Sequence, residues 1–308
     1  MGEVGDRRLG QAWTPAQRWK NAVLFRAALA GLWGARRMSD GSRREAGRRL
    51  GRLGAWLWRG GFDRAQRRLC AVFGPRPPVT AWEVFETLGG DLADTLSLLH
   101  PCVRASDRMP LASEAKPVLD EMLSRGRGVI FVTAHLGPID VMAASVAEQG
   151  YRVATLARES YDPRFTALYD ALRTPRGVRT IYRGRAGTET AVIRALRSGM
   201  LVGFPMDLAG RGMRTCEVGF LGEKTPIAAG PATLARRLGV PVVVGSPAPV
   251  DDGLQVTVQP LELPGGDEVQ AVGAMAMALE HRIRALPAHW PWMHSAVRGS
   301  EERAIARS

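Results

Sequence analysis

Gly128-Val-Ile-Phe-Val-Thr-Ala-His135-Leu-Gly-Pro-Ile-Asp140-Val-Met142 settles the architecture. The apolar, β-branched run Val129–Thr133 predicts a buried strand. Gly137 and Pro138 turn the chain, and Asp140 opens the next helix. The same pattern recurs downstream. Short β-branched runs at 153–156, 178–182, 201–204 and 240–244 predict strands, and helical patterns near 141–149, 163–173, 188–197 and 231–238 separate them. Strict alternation of this kind predicts an α/β fold with a mainly parallel central sheet flanked by helices. Asp252-Gly253 reads as a turn before a late antiparallel strand at 254–258, and a last helix follows over 267–286. This α/β domain is read as residues 81–300, with 301–308 as a tail.

Upstream the chain changes character. Of its 308 residues 45% are hydrophobic and 23% charged, which supports a sizeable core and excludes wholesale disorder. The net charge is +12, and residues 1–80 hold 17 Lys+Arg against 5 Asp+Glu, leaving 25 of each sign beyond. The whole excess is therefore N-terminal. Such a block suits a nucleic acid or an anionic membrane leaflet, and a solvated, arginine-rich tail is the plainer alternative. No zinc finger, basic zipper or RNP-type aromatic pattern is present, so no nucleic-acid partner is expected.

Thr14, Pro15 and Gln17 predict a capping box opening a helix that carries Trp19, Phe25, Leu29, Leu32 and Trp33. In a second basic helix Leu50, Leu53 and Leu57 share one side, Arg48, Arg52 and Arg59 the other, with Trp56 and Trp58 flanking the apolar stripe. That pattern suits a membrane interface; packing on the protein's own core gives the same spacing. The apolar run at 22–35 contains Arg26 and falls short of the roughly 20 residues a bilayer span requires. It lacks a clear signal-peptide cleavage pattern as well. Residues 1–80 are thus expected to form a basic, amphipathic, membrane-associating helical region. The proline-rich 74–78 then breaks the chain before a helix over 80–100. Cys70, Cys102 and Cys216 are odd in number and widely spaced, which argues against a disulfide scaffold and fits a reducing compartment.

The predicted strand delivers His135 at its carboxyl end, where ligands bind in open α/β sheets. Asp140 can offer a carboxylate to one imidazole nitrogen while the other faces the cleft, fixing the tautomer and stabilising the imidazolium formed when His135 takes a proton. A capping or core histidine has the same local sequence. His281, His289 and His294 lack metal-ligand spacing, so no metal is expected. Trp290, Trp292 and His294 read as packing residues.

Five segments in order carry a resemblance. The first is His135 to Asp140, followed by Ala157-Arg158 with Asp162-Pro163. Then come Ala195-Leu-Arg-Ser-Gly199-Met-Leu-Val-Gly203-Phe-Pro-Met-Asp207, and Val218-Gly-Phe220-Leu-Gly222 with Gly230-Pro-Ala-Thr-Leu234-Ala235. The last joins Leu279-Glu280 and Ile283-Arg284 to Trp290-Pro-Trp292-Met-His294. Together they resemble the lysophospholipid acyltransferase superfamily, specifically its bacterial lipid A biosynthesis branch of lauroyl and myristoyl acyltransferases. The likeness runs over roughly residues 45–295. Asp140 stands where that branch usually has Glu, Asp207-Leu208 where it has Asp-Gln, and the N-terminal membrane helix is weak.

The resemblance implies a glycerolipid acyltransferase-like fold and an O-acyltransferase with no cofactor. The acyl thioester of acyl carrier protein or coenzyme A would be its co-substrate, and a hydroxyl of a lipid A precursor or related membrane glycolipid its acceptor. A lysophospholipid or aminolipid acceptor, or a non-catalytic lipid-binding relative, stays open. His135 would deprotonate the hydroxyl for direct attack on the acyl carbonyl, with Asp140 orienting it. Backbone N–H groups of the Gly-rich turn or a downstream arginine would stabilise the oxyanion. Arg158 is expected to contact phosphate. Arg183, with Arg185, would do the same from another strand end. Asp207 would hold Arg158 or the loop containing Arg211, itself counted as substrate-binding. The implied location is the cytoplasmic face of the bacterial inner membrane, peripheral or monotopic, on an anionic surface.

Overall fold

The computed structural model describes residues 5–6, 11–208 and 213–294. A two-residue pair, β1 (Gly5–Asp6) with β2 (Gln11–Ala12), precedes the helices α1 (Pro15–Ala35), α2 (Asp40–Leu57), α3 (Arg59–Phe73), α4 (Ala81–Ser97), α5 (Ala105–Arg108) and α6 (Ala115–Ser124). The alternating half follows: β3 (Val129–Thr133), α7 (Ile139–Glu148), β4 (Val153–Arg158), α8 (Pro163–Arg173), β5 (Val178–Arg183), α9 (Thr188–Arg197) and β6 (Leu201–Pro205). A hairpin of β7 (Thr215–Phe220) and β8 (Glu223–Ala228) leads to α10 (Gly230–Leu238), β9 (Val242–Val250), β10 (Gly253–Pro260) and α11 (Glu268–Ala285).

Six strands form one sheet in the order β10-β9-β3-β6-β4-β5. All neighbours are parallel except β10, which runs antiparallel to β9. The α/β class with a mainly parallel sheet is therefore present. Because side chains alternate along a strand, β3 feeds two cores. Ile130 and Val132 pack with α9, α10 and α11, while Val129 and Phe131 pack with α6, α7 and α8.

The N-terminal helices attach unevenly. α2 crosses α4 at backbone contact: a Cβ on Gly51 would lie 2.0 Å from the Phe85 carbonyl oxygen, and one on Gly89 2.2 Å from that of Gly47. With its glycine face spent on α4, α2 turns its apolar stripe outward, leaving Leu50 66%, Leu53 48%, Trp56 58% and Leu57 67% exposed. Arg48 and Arg52 reach Glu86 of α4 at 3.4 and 2.7 Å. Of the two readings of this helix, packing of the leucine stripe on the core is the one the structure excludes. α1 has the predicted capping box and is pinned by Trp13 stacked on Tyr161 and Phe25 set edge to face against Phe165. Trp19, Leu24, Leu29 and Trp33 remain exposed. Among the described residues no helix is long and apolar enough to cross a membrane.

Two junctions are fixed by carboxylates. Glu148, at the end of α7, accepts from the backbone N–H groups of Ala105 and Ser106, both at 3.0 Å, and so caps α5. In the β7–β8 turn Leu221 has a φ of 53°, a left-handed conformation costly for a side chain with a Cβ. Its N–H donates to Glu280 at 2.6 Å and its side chain is buried, which holds it there. The chain then closes on a short 3-10 turn, Pro287–His289, and the fully buried Trp290 and Trp292. The expected tail, 301–308, lies outside the described residues.

Candidate active site

The register of β3 on β6 sets Thr133 beside Pro205. Two residues further on, His135 and Asp207 emerge side by side at the carboxyl ends of the strands. His135 Nδ1 lies 2.8 Å from Asp207 Oδ1, and the His135 backbone N–H donates to Asp207 Oδ2 at 3.0 Å. Asp207 is wholly buried, whereas the imidazole is 39% exposed. Burial alone would raise the Asp207 pKa, but the charge and hydrogen bond of His135, with further N–H donors, carry it below the ordinary carboxylate range. For His135 burial pushes downward; the Asp207 carboxylate, by charge and hydrogen bond, outweighs it and lifts the pKa above 6.5. An ionised Asp207 leaves the Nδ1 proton on the ring, so Nε2 is the free basic nitrogen.

Asp140 does not hold the imidazole. It begins α7, and its carboxylate turns to Arg173 of α8, accepting from Nε at 2.7 Å. Both side chains are nearly buried, each 11% exposed. Asp207 is accordingly engaged with His135, and neither with Arg158 nor through any described contact with the loop that was expected to need it. Arg211 lies outside the described residues.

A cavity of about 430 Å³ opens beside His135, within the usual size of a small-molecule pocket. Phe131 and Thr133 of β3, His135 just beyond it, and Leu201, Gly203 and Pro205 of β6 line it. These are alternate residues, so the cavity lies against one face of the sheet. Opposite are Ile139, Met142 and Val146 of α7 and Thr166, Tyr169 and Arg173 of α8, while α4 contributes Leu88, Asp91, Leu92 and Thr95. Every residue of β4 from Val153 to Arg158 contributes. At about 3.3 Å per residue the cavity therefore runs some 17 Å along the sheet. Its lining is predominantly apolar, and besides His135 its ionisable side chains include Asp91, Asp140, Arg158 and Arg173.

Arg158 and Arg183 are paired residues of the adjacent strands β4 and β5. Arg158 lines the cavity; Arg183 is half-buried and touches the Met213 sulfur. Burial, then the like charge of Arg158, lowers the Arg183 pKa, and Arg183 in turn opposes protonation of His135. Among the described residues neither arginine meets a carboxylate, which suits an anion between them. Arg185 instead pairs with Glu159. The backbone offers less than expected. The His135 N–H goes to Asp207 and the Gly137 N–H to the His289 carbonyl at 2.9 Å, so two donors of the Gly-rich turn are already engaged. Gly137 has a φ of 64°, and a Cβ there would press on Pro247 at 3.2 Å.

Three participants escaped the sequence. Arg173 is the partner of Asp140. His289 Nδ1 meets Asp91 at 2.8 Å. The Trp290 indole N–H donates to Asp207 Oδ2, also at 2.8 Å. None has a local signal, since each partner is at least 33 residues away in the chain. Among the described residues no three His, Cys, Asp or Glu side chains gather as a metal site.

A family model described as bacterial lipid A biosynthesis acyltransferase matches residues 15–298. No curated protein matches the chain.

Proposed function

The chain belongs to the bacterial lipid A biosynthesis acyltransferase family, and we propose that it moves a fatty acyl chain from a thioester of acyl carrier protein or coenzyme A to a hydroxyl of a lipid A precursor or related membrane glycolipid. The observation that carries this reading is an imidazole tied to a buried carboxylate in the wall of a mainly apolar cavity. His135 Nε2 takes the acceptor's hydroxyl proton as the oxygen attacks the thioester carbonyl. Asp207 stabilises the imidazolium that results. Arg158 and Arg183 face the developing oxyanion or a phosphate of the substrate. The tetrahedral intermediate expels the thiolate, which takes the proton back from His135 and restores the neutral ring. The acyl chain lies along β4 throughout. Asp140 serves this site through Arg173, which it holds in the cavity wall.

The outward apolar faces of α1 and α2, within the basic N-terminal region, support docking as a peripheral protein on the anionic cytoplasmic face of the inner membrane. The mouth of the cavity then receives its lipid from the bilayer.

Mass spectrometry of the host's lipids tests the reading. Removing the protein should deplete one lipid class by a single acyl mass; wild type should restore it and His135→Ala should not. An unchanged lipid profile, or full restoration by His135→Ala, refutes the assignment.

A further inference from the structure

The carboxylate that steadies His135 is itself steadied by a residue the proposed chemistry does not use. Asp207 Oδ2 accepts from the His135 backbone at 3.0 Å and from the Trp290 indole at 2.8 Å, leaving Oδ1 for the ring at 2.8 Å. Three bonds fix both the plane and the rotamer of the carboxylate. Trp290 cannot swing away. It is fully buried, meets Trp292 edge to face at 4.8 Å and Phe220 at 6.3 Å, and lies under the Arg68 guanidinium at 5.2 Å. The neighbouring His289 carbonyl holds the Gly137 turn just beyond His135, so one short C-terminal segment braces both sides of the base.

We infer that Trp290 is a positioning residue for acyl transfer: acting through Asp207, it fixes the tautomer and aim of His135 without touching substrate. The inference rests on the His135–Asp207 reading above. The choice of an indole has a chemical reason. A neutral N–H donor helps keep Asp207 ionised, whereas a guanidinium in the same place would cancel the charge that makes His135 basic. With one N–H removed, the carboxylate can rotate about Cβ–Cγ and its bond to Nδ1 weakens.

The test compares Trp290→Phe with Trp292→Phe in the purified full-length protein, following kcat, KM and thermal midpoint across pH. Trp292 is an internal control, since its indole donates to the Pro287 carbonyl at 2.7 Å and not to Asp207. Trp290→Phe should lower kcat about tenfold, the worth of one hydrogen bond, leave KM little changed and move the acidic limb of kcat/KM to lower pH. Adding it to Asp207→Asn should cost almost nothing more. Trp292→Phe should lower the thermal midpoint while leaving kcat and the limb in place. If Trp290→Phe folds poorly, a benzothiophene analogue at position 290, which keeps the shape and loses the N–H, should show the same kinetic defect in a stable protein. Wild-type kinetics in Trp290→Phe or the analogue, full additivity with Asp207→Asn, or the same defect in Trp292→Phe overturns the inference. An active His135→Ala would instead overturn the reading beneath it.

Discussion

A histidine becomes a useful base when something decides which nitrogen carries the proton, and here that something comes from the strand next door. The pH dependence follows from the signs. His135 must be neutral to accept a proton, and Asp207 raises its pKa above 6.5, so kcat/KM should rise through an acidic limb centred above pH 6.5. Asp207→Asn removes the raising charge and leaves burial, which lowers. The limb should move below 6.5 and turnover should fall about 10²–10⁴-fold. Asp140→Asn should move the limb down by less than Asp207→Asn does, since the Asp140 charge is the weakest of the influences on the imidazole, and should raise KM because it frees Arg173; a larger displacement by Asp140→Asn than by Asp207→Asn would reverse their roles. The H-x-x-x-x-D spacing made Asp140 the nearest carboxylate in sequence, and the sequence could not show why it fails. Its partner Arg173 arrives from α8. Asp207 lies 72 residues from His135, and what joins them is the order of strands in the sheet, with β6 beside β3. Each strand was legible by itself as a β-branched run; their adjacency was not.

Elements are where the reading from sequence worked best and where its gaps have physical causes. The β-branched strands and amphipathic helices of the alternating half stand close to their expected bounds because propensity and burial agree there, except that β9, expected over 240–244, runs on to Val250. The β7–β8 hairpin was not recognised as one. Thr-Cys-Glu-Val-Gly-Phe alternates weakly, and of the two turn residues at positive φ only the second, Gly222, is of the usual type, Leu221 standing where Asn, Asp or Gly is expected. Glycine is a poor helix former, yet Gly47 and Gly51 of α2 are what lets it cross α4 at backbone contact. Gly51→Val should therefore lower the thermal midpoint by several degrees, as overpacking costs about 1–3 kcal/mol. The exposed Gly31→Ala on α1, where nothing lies within 4 Å, should do no harm. Glu148→Ala should cost about 1–3 kcal/mol by stranding the N–H groups of α5. Burial tends to raise the Glu148 pKa, but the Ser106 and Ala105 N–H groups win and depress it. Its contribution is thus present above the unfolded carboxylate pKa and fades as pH falls through the folded value. An acid-unfolding comparison of wild type and Glu148→Ala should converge at low pH; a constant gap would contradict this.

Across the whole molecule, the uneven charge was the sequence's plainest statement, and the fold gives it a geometry. The +12 of residues 1–80 belongs to the region in which α1 and α2 turn leucines and tryptophans to solvent. Leu53→Ser with Leu57→Ser should weaken binding to anionic vesicles by at least about tenfold, given roughly 1.5–3 kcal/mol for each large apolar side chain buried. Arg48 and Arg52 are poorer probes because Glu86 already engages them. Unchanged co-sedimentation of the double variant would mean that this face serves another purpose.

The central claim, that His135 deprotonates an alcohol for direct attack on a thioester, is tested most directly by the rate of acyl transfer from a labelled thioester to lipid in purified wild type and His135→Ala. Loss of about 10²–10⁴-fold in a variant with the wild-type thermal midpoint is the predicted result. Transfer at the wild-type rate without the imidazole would contradict it.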